Sequence, residues 1–326
     1  MKIRNLGYAC ENYQLRNQDE IIRTSRTMRK RTFKTRGMKY VNELCEANLQ
    51  DLLKILKWNH ENGVKLFRIS SDILPWKSHW RWDQLPDNSK VLNLLSDVGG
   101  YARLSGQRLT FHPDHFVKLA SPDKKVAQNS IDDLIEHDNI LNAMFGTTIT
   151  QNHYNTVNIH IGAAYGNKFR TLDRFLLRFR NELPSTLRCR LTIENDDKPA
   201  LYHTRELFNY FVGREVIPIM FDFHHYRVNP DPKASEKYSA KLAELTWPVL
   251  STIPIFHWSE SRRKEQGDDK IRKNAHSDLC YGPLPTYKLD RPVDLMIEAK
   301  HKEQSINLIK YANGRKVHST PKRVPH

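Results

Sequence analysis

The chain has 326 residues, 39% of them hydrophobic and 10% aromatic, with 52 Lys and Arg against 37 Asp and Glu and a formal net charge of +15. That apolar content can bury a large core, which excludes a disordered or fibrous chain. The charge says nothing of fold but makes a polyanion, nucleic acid or an anionic membrane, the expected partner.

The N-terminal MKIRNLGYAC has no long apolar run, and no stretch approaches the ~18 apolar residues of a membrane span. The four cysteines, Cys10, Cys45, Cys189 and Cys280, form no CxxC pair, which excludes a cysteine-rich zinc site. Their scatter does not look like a disulfide framework. A soluble, intracellular protein of the cytoplasm, nucleoid or nucleus, with reduced thiols, is expected.

In chain order, the first strand reads as 3–8, IRNLGY. It is followed by RTSRTMRKRTFKTRGMK (23–39), with eight Lys and Arg and no acid. That stretch is expected to be a basic loop insertion in which Arg29, Lys30 and Arg31 meet phosphates. A helix over 48–63 has apolar residues at 49, 52, 53 and 56 and ends at Gly63. Strands follow at 65–70 and 107–111, then a helix over 130–146 with Ser130 as N-cap and Gly146 as its stop. The strand at 157–161 precedes a basic amphipathic helix over 171–184, stopped by Pro184. Strands at 190–194 and 216–222, a helix over 235–248, and strands at 252–257 and 294–299 complete the pattern. The basic, proline-containing stretch 314–326 is expected to be a disordered tail beyond a domain spanning 1–313.

Eight strands alternating with helices imply a parallel sheet, because parallel strands need crossover helices. Eight repeats close a (β/α)8 TIM barrel, the expected fold class, α/β in a single domain. The alternative is an open doubly wound sheet, but no GxGxxG follows the first strand to support it.

The strand ends carry the chemistry. The third strand runs into His112, the fourth contains His160, and the fifth ends at Glu194. The sixth ends at Asp222 followed by His225, the seventh at His257 and the eighth at Glu298. In a TIM barrel these carboxyl ends converge on one mouth. One such residue is more often structural, but six strands presenting acids and imidazoles to one rim need a neutralising cation. Mixed imidazole and carboxylate ligands without thiolate suit Zn, Mn or Fe(II). The ligands exceed the needs of one ion, so two or three are expected, with Glu194 placed to bridge. Clustered divalent ions fit phosphoryl transfer, and on a basic protein that chemistry points to nucleic acid cleavage.

The segments LGYACEN (6–12), RTMRKRTF (26–33), LFRISSDILPW (66–76), RLTFHP (108–113), HIGAAYGNK (160–168), LTIEND (191–196), FDFHHYRVNP (221–230) and DLMIEAKHKEQ (294–304) together resemble the UV damage endonuclease family. The resemblance runs in order from about position 3 to 304. It implies a TIM barrel and a metal-dependent, manganese-using enzyme, with Zn²⁺ or Mg²⁺ as alternatives. The implied reaction is a nick immediately 5′ to cyclobutane dimers and 6-4 photoproducts, leaving a 3′-hydroxyl and a 5′-phosphate. The implied partner is duplex DNA carrying UV lesions, met by a monomer and without a membrane.

By motif, the resemblance implies the ligands His112, His160, Glu194, Asp222, His225, His257 and Glu298, with His276 as a further one. Glu194, Glu298 and His257 are expected to carry catalysis. Tyr8 and Asn12 match residues at the active-site mouth. His115 and Phe116, in HPDHF, stand where the family has a Gln–aromatic pair that probes the duplex. Ile255 replaces a lysine that the family can modify, so no such modification is expected. Asp72 reads equally as an extra ligand or as a helix cap. The competing readings are an abasic-site endonuclease on the same barrel, a metal-dependent sugar isomerase and a non-catalytic damage binder.

Overall fold

Every apolar run read from the sequence forms a strand: β1 Ile3–Ala9, β2 Leu66–Arg68, β3 Arg108–Thr110, β4 Val157–His160, β5 Leu191–Glu194, β6 Ile219–Met220, β7 Ile255–Trp258 and β8 Val293–Ile297. The structure, a computed structural model, describes residues 1–147, 154–247 and 252–314. The expected tail, except Gly314, lies outside the described residues, as do His153 and His326.

All paired strands are parallel, in the orders β3-β2-β1-β8-β7 and β4-β5-β6. The parallel bridges Phe111–Val157 and Asp222–His257 join the two sheets into a closed ring. This is the eight-stranded barrel, and the open-sheet alternative fails because the two bridges leave no strand at an edge: every strand has a neighbour on both sides. Among the described residues no helix is long and apolar enough to cross a membrane. The four cysteines are free.

The helices start where side chains cap them. The helix after β3 is Lys124–Phe145, not 130–146, because Asp123 accepts from Lys125 N and Val126 N at the true start. Ser130 instead lies one turn inside, its Oγ donating to Val126 O at 2.7 Å and accepting from Lys118 N at 2.8 Å. Asn167 caps Lys168–Asn181 and Ser235 caps Glu236–Thr246. The helices Asn88–Leu104, Thr204–Phe211 and Gln304–Ala312 were not legible as helical patterns.

The basic insertion is corrected most. Residues 30–36 are helical, not a loop, and join the following helix as Lys30–Glu61 across a break at Gly37 (φ 62°, ψ −161°). Phe33 holds this turn by stacking on Trp76, with ring centroids 5.6 Å apart at 20°. Asn48, in mid-helix, ties the insertion down: it accepts from Arg26 N at 3.1 Å and donates to Arg26 O at 3.0 Å and Asp72 O at 3.1 Å.

Inside the barrel, strand parity sets three layers, because residues two apart face the same way. On β8 these are Asp294, then Met296, then Glu298 just past its end. At the amino-terminal end Asp294 and Arg108 are both fully buried. Arg108 Nη1 donates to Asp294 Oδ2 at 3.1 Å, and Asp294 also accepts from Arg4 Nη2 at 2.7 Å and Asn5 Nδ2 at 2.9 Å. The middle layer is apolar: Leu66, Met220, Ile255 and Met296, packed with Ala9 and Trp247. The third layer is the candidate site.

Asp294→Ala would leave the Arg108 guanidinium buried without its carboxylate. It is expected to lower stability by about 3–5 kcal/mol, read as a fall in the urea midpoint. Metal uptake at the opposite end should persist in the folded fraction.

Candidate metal centre

The mouth residues are placed by short local devices. Asp222 sits at the N-cap of the helix Phe223–Val228, where its Oδ1 accepts from His225 N at 2.7 Å. That cap turns the chain so that His225, three residues on, faces the same mouth. Asn195, just past β5, clamps this corner: it donates to Asp222 O at 3.0 Å and accepts from Asp222 N at 2.9 Å.

Glu194 lies at the centre and is fully buried. Its Oε2 is 3.2 Å from His112 Nε2 and 3.2 Å from His257 Nδ1, and its Oε1 is 3.1 Å from His225 Nδ1. His257 Nδ1 also lies 3.2 Å from Glu298 Oε1 and 3.9 Å from Asp222 Oδ2. Three carboxylates therefore converge on one imidazole nitrogen. Asn158 donates to Glu194, and Arg68, partly buried at the end of β2, donates to Glu298.

Two groups of ligand atoms each lie within 4.8 Å of one another: His112, His160 and Glu194, and Glu194, Asp222 and His257. They share Glu194, the bridging position expected from strand order. Glu194 Oε1, Asp222 Oδ2, His160 Nδ1 and His257 Nδ1 are buried without a hydrogen-bond partner. Buried polar atoms left unpaired are costly, and a cation satisfies several at once.

His112 sharpens this. Its Nδ1 is 3.2 Å from the Pro113 carbonyl, which can only accept, so Nδ1 carries the proton. Burial holds the His112 pKa below its usual value despite Glu194. The neutral ring then turns the Nε2 lone pair toward a carboxylate oxygen, an arrangement that a shared cation resolves. The residues present thus fit divalent ions.

Electrostatics agree. Burial alone would raise the Glu194 pKa, but the surrounding imidazoles, His257 and His160 first and then His112 and His225, hold it well below the carboxylate range. Burial is likewise outweighed at Glu298 by Arg68 and His257. Burial opposes charge on His160, yet Glu194 and Asp196 raise it to about 8. His225, against Asp222 and Glu194, is raised well above its usual value despite burial.

The remaining predicted residues fall into three places. His276 stands at the edge, its Nδ1 3.9 Å from Glu298 Oε2, and belongs to neither group. Tyr8 and Asn12 are fully buried beneath the mouth, not on it. Tyr8 Oη donates to Asn59 Oδ1 at 2.6 Å and accepts from Asn12 Nδ2 at 2.9 Å, and Asn12 caps Tyr13–Arg16, so neither offers a surface to DNA. His115 and Phe116 are exposed on the rim beyond β3, with rings 4.1 Å apart. Arg29, Lys30 and Arg31 are exposed at the start of their helix. Asp72 is exposed and outside both ligand groups. Ile255 is buried one layer below His257.

Sequence reasoning missed Arg68, Asn158, Asn195 and Asp196, whose Oδ1 lies 3.2 Å from His160 Nδ1. Arg68 had a signal, a lone charge inside the apolar run KLFRIS.

Fold and site together define a (β/α)8 barrel with a candidate divalent-metal centre at its carboxyl-terminal mouth. A sequence model of the family described as UV-endonuclease UvdE matches residues 4–322, and the chain belongs to that family. It is 33% identical over 308 residues to a UV-damage endonuclease of Schizosaccharomyces pombe, covering 92% of this chain and 49% of that protein. A putative UV-damage endonuclease of Acanthamoeba polyphaga mimivirus is 34% identical over 312 residues, with 92% and 88% covered. The chain thus spans about half the length of the fission yeast relative and most of the viral one. A solved structure described as the crystal structure of SacUVDE superposes with a TM-score of 0.79 at 26% identity, covering 95% of this chain and 98% of that one.

Ligand imidazoles must be neutral to bind a metal, so binding releases protons. His160, raised to about 8, is protonated below that pH and loses its proton as pH rises through it. Mn²⁺ affinity is therefore expected to climb between pH 6.5 and 8, by about tenfold per unit for each proton released, as read by titration calorimetry.

Proposed function

We propose that the protein is a metal-dependent DNA repair endonuclease that nicks the strand immediately 5′ to UV photoproducts and leaves a 3′-hydroxyl and a 5′-phosphate. The observation that carries this reading is the Glu194-centred cluster: two overlapping ligand groups, buried atoms without partners and three carboxylates against one imidazole. The family relationship and the +15 charge support DNA as the substrate.

His112, His160, Glu194, Asp222, His225, His257 and Glu298 would hold the divalent ions, which would supply Lewis acidity and water activation for phosphodiester hydrolysis. Mn²⁺ is the proposed ion, two or three per chain. The chain's own residues do the rest. Arg68 fixes Glu298 toward His257, and the Asn195 clamp fixes Asp222. Arg29, Lys30, Arg31 and Lys34 stand exposed in the first turns of a helix with no acid in its first turn, so cations and helix dipole add to a positive potential. That potential costs helix stability alone and favours a DNA phosphate beside it.

Phe116, 71% exposed on the rim, is the proposed wedge into the duplex. A photoproduct already unstacks its neighbours, so displacing it costs less than displacing normal bases, which gives selectivity without reading sequence. His115, paired to Asp114 at 2.5 Å, braces the ring beside it. The protein is proposed to act as a monomer inside the cell.

The test is nicking of an end-labelled duplex carrying one cyclobutane dimer, with Mn²⁺ or EDTA. Wild type is expected to cut just 5′ to the dimer with Mn²⁺ alone, and Glu194→Gln to lose at least about 10²–10³ in rate. Cutting only at an abasic site would instead support an abasic-site endonuclease, and no cutting of either duplex would sink the endonuclease reading.

Phe116→Ala is expected to remove about 1–3 kcal/mol of stacking. The loss should appear as weaker binding to the dimer duplex, with metal uptake unchanged.

A further inference from the structure

We propose that the segment 262–275, which leaves β7 and returns to His276, is a second phosphate-binding arm that holds the DNA backbone beside the metal centre. This rests on the endonuclease reading, and extends it to a surface distinct from the 23–39 insertion and the probe loop.

The arm is closed at its base. Ser261 and His276 form an antiparallel bridge, Arg262 N donates to Ala275 O at 2.9 Å, and Ser277 N donates to Glu260 O at 2.9 Å. It also reaches across the mouth, where Asn274 Nδ2 donates to Asp197 Oδ2 at 2.6 Å in the loop after β5. It thereby passes above the end of β6, and its terminal His276 ring lies 5.2 Å from His224 and 6.3 Å from His225. A backbone seated on this span lies directly against the ligand cluster.

The charges on the arm are sorted. It holds six Lys and Arg against three Asp and Glu. The acids are occupied within the fold: Glu265 accepts from Asp278 N and Leu279 N, Asp269 pairs with Arg263 at 2.6 Å, and Asp268 accepts from Lys270 N. Arg262 lies 3.7 Å from Asp278. Lys264, Lys270, Arg272 and Lys273 are exposed, and among the described residues none of their charged groups has an ion-pair or hydrogen-bond partner. An arm built only for its own stability would pair these cations or replace them with neutral groups. Asp268 and Asp269 are exposed too, but each is engaged within the arm. The surplus of exposed, unpaired cations on a span closed at its base beside the candidate metal centre matches a polyanionic backbone.

The test uses the full-length protein and a fluorescent duplex of undamaged DNA, titrated over a range of salt concentrations. The variant is Lys270→Gln/Arg272→Gln/Lys273→Gln. The control, Lys2→Gln/Lys57→Gln/Lys288→Gln, removes the same charge near the opposite end of the barrel. The arm variant is expected to bind at least about tenfold more weakly at 0.1 M salt and to lower the slope of log affinity against log salt by about 2–3, near 0.9 for each lost phosphate contact. Its thermal midpoint and Mn²⁺ uptake should match wild type, showing that the arm's base and His276 remain in place. An unchanged slope overturns the proposal, as does an equal fall in the control, which would mean that only net charge matters. If wild type neither binds nor nicks DNA, the endonuclease reading falls and takes the arm with it. If wild type nicks and only the slope test fails, the arm alone is wrong.

Discussion

The mouth of this barrel depends on one constraint: a fully buried carboxylate, Glu194, must have its charge balanced. Burial by itself would neutralise it by raising its pKa. Four histidines around it and the Asn158 amide reverse that preference. The neighbouring Asp222 and Glu298 then add charge of the same sign, with Arg68 offsetting Glu298. The balance of imidazole, carboxylate and guanidinium leaves several buried atoms unpaired, which divalent cations would satisfy.

The opposite end of the barrel solves a similar problem without a cation. Asp294 is as buried as Glu194, but Arg108, Arg4 and Asn5 satisfy it directly. The two charged layers are separated by Leu66, Met220, Ile255 and Met296. One strand, β8, therefore carries a closed polar network at one end and an open one at the other. The closed network is satisfied within the protein and the open one is left for a ligand, the division expected of the two faces of such a barrel.

Part of the excess positive charge lies in two segments beside the mouth. The start of the helix Lys30–Glu61 and the 262–275 arm both rise from loops on the mouth side, after β1 and β7. Their unpaired cations flank the site from two directions. In the proposed reading the long-range field would attract a polyanion, and the short contacts would place it over the candidate ligands.

By itself the sequence determined the eight strands, their parallel closure and the seven strand-end candidate residues, because apolar runs and the residues that end them are local features. A parity of two along each strand was enough to aim Asp222, His257 and Glu298 at one mouth. Only the tertiary structure decided the rest. The stretch 30–36 looked like a loop because its charges show no apolar period; packing of Phe33 on Trp76 makes it helical. Tyr8 and Asn12 looked like mouth residues, but their hydrogen bonds to each other and to Asn59 bury them. Arg68 and Glu298 lie 230 positions apart, and Asn274 reaches Asp197 across 77. Such pairings depend on where strands meet in space, and no local pattern records that.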